Sequence, residues 1–479
     1  MSIEMKKRPQ PPLSASSRLD RPALSRRSLL KRSVALGGAC AGYGLSNRLL
    51  PVLASTASEP HPLAARPPHY APKAKRVIMF FLTGGMSHVD SFDPKPELNK
   101  RDGQAYKRSS RDSQKFVGSP WAHQPRGQSG LEITDLFPHV AGVADDLCLI
   151  RSLHGDHNDH FEATLHMHTG SNGVAWPGMG AWVSYGIGSE NINLPSHVVF
   201  AERKPYAGAQ VWDSNFLPAY HQGVRLKPGD EIIPHLTPQK DNPSSLQQAE
   251  LAMLKRLNQR HFNSRRDGEL AARMLSFETA ANLQRLAPEL FDLKDENDRT
   301  LEMYGVKRGD RRSFGWQTLV ARRMAESGVR FIELVDTGSS GNWDRHSKIK
   351  GNGPLAKKVD QPIAALIKDL KERGMLEDTL VICASEFGRT AYGGNGGRNH
   401  HAKAFTCWLA GGGVKGGHVH GATDDFGLTI ARDPVHVHDF HATILHLLGL
   451  DHEKLTFHHE GRNFRLTNIF GNVVNGVLA

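Results

Sequence analysis

The chain has 479 residues, of which 39% are hydrophobic and 23% are charged, and this composition is that of an ordinary globular protein. The net charge of +11 would fit a nucleic-acid-binding protein, but residues 1–57 carry ten Lys/Arg and two Asp/Glu and so account for +8 of it. Only +3 remains for the rest of the chain, which excludes nucleic acid as an expected partner.

The basic first segment resembles an export signal. Residues 25–31, SRRSLLK, resemble the twin-arginine signature, and the weakly apolar stretch 33–53 is followed by small residues suited to cleavage. We therefore expect residues 1–57 to be a signal peptide read by the twin-arginine translocase, and the folded protein to be periplasmic or secreted. Two alternatives stay open: the leader remains uncleaved and makes the only membrane contact, or Cys40 is lipidated.

A parallel sheet is predicted after a Pro- and Ala-rich linker at residues 58–75. Short apolar runs bounded by turn residues are typical of strands buried in such a sheet. Such runs lie at residues 76–82, 147–150, 194–200, 329–336, 380–384 and 405–410. Residues 244–305 are instead rich in Leu, Ala, Arg and Glu, and they predict a helical insertion that covers one side of the sheet.

Polar residues follow several of these strands, where an open α/β sheet places its ligands. The first strand is followed by a glycine pair and then by His88 and Asp90, and the fourth strand by Asp344 and His346. A His and an Asp two residues apart at a strand end predict a ligand loop. For the first loop an alternative is a simple tight turn, with Asp90 or Asp93 capping a short helix.

The fifth strand leads into the segment that is richest in candidate groups. Within residues 379–401, Glu386 follows the strand directly, and Arg389, Arg398 and His400 come after it. A carboxylate, two guanidinium groups and imidazoles together suit a divalent metal and an anionic substrate.

A histidine-rich segment follows the second strand. His160 begins a helix predicted over residues 159–168, where the helix dipole favours a bound anion. His166 and His168 lie farther along this helix, and we interpret them as packing groups or as groups that orient other ligands.

A helix over residues 435–449 is predicted near the end of the chain. Asp439 suits its N-cap, and Ile444 and Leu445 belong to its buried face. We interpret His441 and His446 on this helix as structural residues.

The cysteines exclude two common kinds of site. Of the 4 Cys, Cys40 lies in the leader, and Cys148, Cys383 and Cys407 form no Cys-x-x-Cys pair. Neither a disulfide framework nor a thiolate zinc site is therefore expected. Cys383 and Cys407 lie in apolar runs and are predicted to be buried.

Several segments together resemble one family. They are 82–90 (LTGGMSHVD), 92–96 (FDPKP), 343–346 (WDRH), 386–390 (EFGRT), 397–400 (GRNH), 408–417 (WLAGGGVKGG) and 438–449 (HDFHATILHLLG). By this resemblance the chain is identified as a member of the domain-of-unknown-function 1501 family, within the alkaline phosphatase/sulfatase superfamily. The resemblance implies a doubly wound, mostly parallel α/β core over residues 76–470, with a C-terminal tail at 471–479.

The same comparison with the superfamily reveals departures. The superfamily's Ser-Asp-His-Gly segment resembles residues 385–388, where Glu386 keeps a carboxylate but Phe387 replaces a His ligand. His160 stands near the position of the superfamily's nucleophile, and the Cys-x-Pro-x-Arg pattern of sulfatases is missing there. A sulfatase that uses formylglycine is therefore not expected.

The resemblance implies a metal-dependent hydrolase of phosphate or sulfate esters that acts on an anionic small molecule or glycan. One or two Zn, Mn or Fe ions would be held by a set of imidazoles and carboxylates: His88, Asp90, Asp344, His346, Glu386 and His400. Arg389 and Arg398 would hold the substrate's non-bridging oxygens. His160 would be a nucleophile, a general acid or a further ligand, and both an activated water and a covalent step stay open.

A second hypothesis is a non-catalytic relative. Such a protein would use the same basic, histidine-rich cleft to bind an anionic glycan or a periplasmic partner. The replaced ligand at Phe387 and the missing nucleophile motivate this alternative.

Overall fold

The computed structural model of the protein describes residues 61–106, 114–234, 244–265 and 268–479. The predicted signal peptide at residues 1–57, with its twin-arginine motif and Cys40, lies outside the described residues. Within the described ranges, every helix is too short or too polar to cross a lipid bilayer.

A nine-stranded sheet forms the centre of the described part of the chain. Its strands are β1 (Arg76–Leu82), β2 (Leu147–His154), β3 (His197–Ala201), β4 (Val224–Leu226), β5 (Phe331–Asp336), β6 (Thr379–Ala384), β7 (Phe405–Ala410), β8 (His418–His420) and β9 (Val435–His436). They lie in the order β8–β2–β7–β6–β1–β5–β3–β4, and β9 pairs with β2. Neighbouring strands are parallel except at β7, which runs antiparallel to both β6 and β2.

Helices connect these strands, and short strand pairs lie outside the sheet. The helices are α1 (Pro96–Lys100), α2 (Pro138–Ala141), α3 (His160–Thr169), α4 (Met179–Ile187), α5 (Ser244–Arg265), α6 (Gly268–Phe291), α7 (Asp298–Tyr304), α8 (Phe314–Glu326), α9 (Asn352–Glu372) and α10 (Val437–Leu447). The separate antiparallel pairs join 115–116 with 392–393, 123–126 with 131–134, 388–389 with 400–401, 422–423 with 430–432, and 457–459 with 462–464.

The two faces of the sheet are both covered, which makes the fold doubly wound as predicted. Successive side chains of a strand point to opposite faces, and Phe80 of β1 lies in one core cluster while Phe81 lies in another. The first cluster includes residues of α8 and α9, and the second includes residues of α4 and α10. A strand buried on both sides explains why β1 reads as a continuous apolar run.

The apolar runs predicted the larger strands well. All six predicted strands are present, and β2 extends to His154. Three further strands, β4, β8 and β9, have at most three residues each and lie where no apolar run marks them. The predicted cap of α10 was wrong, because His436 is the N-cap and Asp439 sits at the third helical position, where its carboxylate accepts from the His436 N–H.

The packed region extends beyond residues 76–470 at both ends. Leu63 and Ala74, in the predicted linker, are buried, and so is Val477 in the predicted tail. The backbone N–H of Ala479 donates to the Gly413 carbonyl at 2.9 Å. The described part of the linker and the tail therefore pack as parts of the folded domain.

Helix α3 is joined to the sheet by a buried ion pair. His168, in its last turn, donates from Nε2 to Oε1 of Glu333 on β5 at 2.8 Å and from Nδ1 to the Thr164 carbonyl at 2.7 Å. Burial lowers the pKa of His168, but the negative charge of Glu333 outweighs burial and raises it above its ordinary value. The charged pair fixes α3 on the sheet and thereby positions His160 in its first turn.

We expect the substitution Glu333→Gln to leave the His168 imidazolium without its counter-ion in the core. Removing one partner of a buried pair should lower the free energy of unfolding by about 3–5 kcal/mol, measured by urea denaturation at pH 7. The control Glu302→Gln, exposed on α7, should change it by less than about 0.5 kcal/mol. Similar small losses in both variants would contradict a stabilising role for the pair.

Candidate metal centre

The segments that follow four strands meet at one edge of the sheet. β1, β5 and β6 are parallel neighbours, and β2 shares their direction because β7 is antiparallel to both β2 and β6. Their carboxyl ends therefore point the same way, and this is where open α/β sheets bind ligands. The antiparallel pair of 388–389 with 400–401 adds His400 to the same edge.

Three predicted site residues come together there. His160, Asp344 and His400 each offer a ligand atom, and these atoms lie within 4.8 Å of one another. Asp344 Oδ2 is 3.4 Å from His160 Nε2, and Asp344 Oδ1 is 3.3 Å from His400 Nε2. His346 joins from the solvent side, with its Nε2 3.1 Å from Asp344 Oδ1 and 2.9 Å from His400 Nε2.

The proton on His160 is placed by Glu386. The His160 Nδ1 lies 2.6 Å from Glu386 Oε1, and a carboxylate only accepts, so Nδ1 carries the hydrogen. In the neutral ring Nε2 is then the lone-pair atom; it faces Asp344 and is buried without a hydrogen-bond partner among the described residues. A carboxylate that orients a histidine in this way is typical of metal sites.

His400 is oriented in the same manner by a backbone carbonyl. Its Nδ1 donates to the Asn158 carbonyl at 2.7 Å, so in the neutral ring Nε2 is again the lone-pair atom. This Nε2 faces both Asp344 and His346. A cation would satisfy these converging lone pairs together, and imidazoles with one carboxylate suit Zn, Mn or Fe.

Electrostatics of the cluster follow from its contacts. Burial raises the pKa of Asp344, but contacts from His160, His400 and Arg389 outweigh burial and hold this pKa far below its ordinary range. Burial lowers the pKa of His160, but its contacts with Asp344 and Glu386 raise it above its ordinary value. Asp344 is therefore a carboxylate at neutral pH.

Glu386 lies beside the cluster, but its contacts differ from the predicted metal ligation. Its two oxygens accept from the Gly84 N–H at 2.8 and 3.1 Å, and one accepts from the Ser385 hydroxyl at 3.1 Å. The third partner is His160 Nδ1. These donors occupy the carboxylate, so in this structure Glu386 orients His160, and its role as a metal ligand stays a prediction.

The glycine pair after β1 is required by close packing. Gly84 has φ +110°, and a Cβ there would lie 2.6 Å from the Asp344 backbone nitrogen. Gly85 has φ +76°, and its Cβ would lie 2.6 Å from the Phe387 ring. Phe387, at the position where the resemblance predicted a lost His ligand, is buried with its ring centroid 4.8 Å from that of His160 and 4.7 Å from that of His400.

Arg389 contacts the cluster from the protein interior. It is buried, and its guanidinium donates to the carbonyls of Gly84, Gly85 and Arg398 and to Asp344 Oδ1 at 2.6 Å. The N–H groups that were predicted to bind substrate oxygens therefore donate to acceptors inside the protein. These contacts do not favour the predicted substrate role, which stays a prediction, and they place the Arg389 charge against Asp344.

Arg398, Asp90 and His88 form a separate buried layer. Arg398 makes a bidentate pair with Asp90 at 2.7 and 2.8 Å, and both side chains are inaccessible to solvent. His88 is buried and its Nε2 contacts the Gly427 carbonyl at 2.9 Å. The predicted roles of Asp90 and His88 as metal ligands, and of Arg398 as an anion clamp, therefore do not fit the contacts these residues make.

Some residues at the site escaped sequence analysis. Asn158 gives its carbonyl to His400, and Tyr206 stacks on His160 with ring centroids 4.0 Å apart. The Tyr206 hydroxyl accepts from Asn342 Nδ2 at 2.7 Å. Tyr206 lies in a loop without a motif, whereas Asn342 and Asn158 stand next to predicted ligands and could have been weighed as their supports.

Residues 74–478 match the sequence profile of the family described as "Protein of unknown function (DUF1501)". The chain belongs to this family. The match confirms the resemblance to this family drawn from the motifs, and the matched range includes the candidate residues His160, Asp344, His346, Glu386 and His400. No curated protein sequence matches the chain.

Solved structures with a similar architecture are distant from this DUF1501 protein. The lipoteichoic acid synthase LtaP from Listeria monocytogenes is 9% identical (87% of this chain, 80% of that chain, TM-score 0.37). Alkaline phosphatase from the Antarctic bacterium TAB5 is 9% identical (78% and 98%, TM-score 0.32), and the PsFucS1 sulfatase from Pseudoalteromonas sp. is 12% identical (79% and 68%, TM-score 0.31). At these TM-scores the likeness carries no argument about activity.

We expect Arg398→Met to destabilise the protein instead of weakening substrate binding alone. It leaves Asp90 charged and unpaired in the core, which should lower the free energy of unfolding by about 3–5 kcal/mol. Urea denaturation measures this, with the exposed Arg432→Met as a control that should lose less than about 0.5 kcal/mol.

The double variant Asp90→Asn/Arg398→Met removes both charges and should recover part of the lost stability. An unchanged free energy of unfolding in Arg398→Met would instead support the hypothesis that Arg398 binds the substrate's non-bridging oxygens.

Proposed function

We propose that the protein is a metal-dependent hydrolase of phosphate or sulfate esters, with an anionic small molecule or glycan ester as substrate. The observation that carries the proposal is the convergence of His160 Nε2, Asp344 and His400 Nε2. The other ring nitrogen of each histidine is held, by the buried Glu386 for His160 and by the Asn158 carbonyl for His400. A divalent Zn, Mn or Fe ion held there would polarise the ester and stabilise the charge that develops on its oxygens.

The chain's own residues divide the remaining work. Glu386 holds the Nδ1 proton of His160 in place, so that Nε2 is the nitrogen available to an ion. Arg389 holds Asp344 and balances its charge. His346, whose side chain is 51% exposed, lies where the cluster meets solvent, and we assign it a place in ligand binding or in proton transfer to the leaving oxygen.

A single ion is the simplest form of this proposal. The predicted set of six ligands is reduced by the contacts of Glu386, Asp90 and His88. The remaining donors are His160, Asp344, His346 and His400. Three protein ligands, with a further position left for substrate or water, are typical of a catalytic ion, so we assign ligation to His160, Asp344 and His400 and leave His346 free to contact the substrate.

The alternative function is binding without catalysis. It is favoured by one observation: Arg389 and Arg398, the expected clamps for the substrate's oxygens, are committed to internal acceptors. A metal-dependent binding site for an anionic glycan would need only the ion and the open edge. Turnover measurements separate the two proposals.

We expect purified protein to hydrolyse an aryl phosphate or an aryl sulfate, to lose this activity with a chelator, and to regain it when Zn, Mn or Fe is added. Asp344→Asn should reduce turnover about a hundredfold or more, because it weakens the ion site directly. The matched control Asp425→Asn, exposed in a turn, should behave as wild type. Negligible turnover by metal-loaded protein, equal with and without chelator, would leave the binding function.

The substitution Glu386→Gln tests, in the same assay, whether Glu386 acts by orienting His160 for the ion. An amide can no longer enforce the His160 tautomer as a carboxylate does, so the affinity for the ion should fall about 10–100-fold. Turnover at saturating metal should recover further than in Asp344→Asn. Equal losses at all metal concentrations would indicate that Glu386 acts directly on the reaction.

We also propose that residues 1–57 direct export through the twin-arginine translocase, so that the protein folds and takes up its ion before crossing the membrane. The supporting observation is the Arg26-Arg27 pair in a basic segment followed by an apolar one. Arg26→Lys/Arg27→Lys should retain the protein in the cytoplasm in cell fractionation, whereas Arg32→Lys should not. Periplasmic recovery of both variants would refute this route.

A further inference from the structure

A second histidine cluster lies where β9 runs into α10, apart from the residues used above. His436 and His438 come from this junction and His166 comes from α3, and their ligand nitrogens lie within 4.8 Å of one another. The ring centroid of His166 is 4.9 Å from that of His438 and 5.4 Å from that of His436. Tertiary packing alone brings these rings together, since α3 and α10 are far apart in sequence.

Two nitrogens of the cluster are buried without a hydrogen-bond partner among the described residues. His438 Nε2 donates to the Gly170 carbonyl at 2.8 Å, so its Nδ1 is a lone-pair atom, and this Nδ1 is one of the two. His166 Nε2 is the other. His166 is 2% and His438 4% exposed. A buried nitrogen without a hydrogen-bond partner is unfavourable, and a bound ligand would offset that cost.

Asp156 completes the cluster from the loop between β2 and α3. Its Oδ1 is 3.2 Å from His436 Nε2 and its Oδ2 is 3.9 Å from His166 Nε2. The Asp156 side chain is 49% exposed, so the fourth side of the cluster is open to solvent. An ion could enter from that side, whereas the other three sides are imidazole rings.

We propose that His166, His436, His438 and Asp156 bind a divalent transition metal, with zinc the best match, at a site independent of the first. Zinc takes tetrahedral sets of nitrogen and oxygen ligands, and four protein ligands are typical of structural sites. Ligand atoms around tetrahedral zinc stand about 3.3 Å apart, so nitrogens that now lie within 4.8 Å of one another would have to draw together on binding.

Binding changes the state of one ring. In the structure His436 Nδ1 accepts from the His438 N–H at 3.2 Å, which puts the ring proton on Nε2, facing Asp156. Ligation through Nε2 displaces that proton, and the neutral ring then carries its hydrogen on Nδ1, so this cap contact is given up. The contact from the His436 N–H to Asp439 Oδ2 at 2.9 Å remains to cap α10.

The site would hold two helices together. His166 belongs to α3, whose first residue is His160, and His436 and His438 belong to the start of α10. A metal that joins them fixes α3 at a second point, in addition to its ion pair with Glu333. The metal at this site is thus structural, and it does not take part in the proposed hydrolysis.

Zinc titration of the full chain tests the site when the first centre has been disabled. In Asp344→Asn/His400→Ala we expect about one zinc per chain by calorimetry and a rise in Tm when zinc is added. Adding His166→Ala should remove both effects, and adding Asp156→Asn, which changes a half-exposed side chain and should not impair folding, should weaken zinc binding at least tenfold. The control His458→Ala, at an exposed histidine, should change neither.

Equal zinc uptake and an equal Tm rise with and without the Asp156→Asn and His166→Ala changes would overturn the proposal. So would a folded Asp344→Asn/His400→Ala protein that takes up no zinc. These outcomes do not depend on turnover, so a failed hydrolase assay leaves the second site standing, and a failed zinc titration leaves the hydrolase proposal standing.

Discussion

The carboxylate of Glu386 is the interaction on which the candidate centre depends. It lies at the end of β6, 2% exposed, and it accepts from the Gly84 N–H after β1 and from His160 Nδ1 at the start of α3. One side chain therefore joins three elements and sets the tautomer of a ligand at the same time. A buried carboxylate is stable only when its oxygens accept hydrogen bonds. The hydrogen bonds that stabilise Glu386 therefore also hold His160 in position.

Charge balance in the interior explains why the arginines do not face outward. Asp90 is buried and Asp344 is half-buried, and a carboxylate in such a position is stabilised by a cation close by. Arg389 and Arg398 provide these cations and spend their other N–H groups on backbone carbonyls. An anionic substrate would therefore depend on an ion held at the candidate centre rather than on these guanidinium groups. The motifs had predicted instead that both arginines would hold the substrate's oxygens.

Much of the fold could be predicted, and so could part of the centre. Runs such as 76–82 and 405–410 revealed strands because both faces of the sheet are covered, whereas β8 and β9 carry histidines and no apolar run. Asp344, His346 and His400 were found because they follow strand ends or lie in family motifs. His88 and Asp90 satisfied the same rule, yet they lie in another buried layer, because spacing after a strand does not determine which way a loop turns.

The residues alone sufficed to predict the doubly wound sheet, the sheet edge where the candidate centre lies, and membership of the DUF1501 family. Those features depend on local apolar patterns and on motifs that stand in continuous segments. The pairing of polar groups was decided by tertiary structure alone: His160 meets Glu386 across 226 residues, and Arg398 meets Asp90 across 308. Hydrogen bonds and ion pairs act over a few ångströms, so partners this distant in the chain become known only when the sheet has brought their loops to one edge.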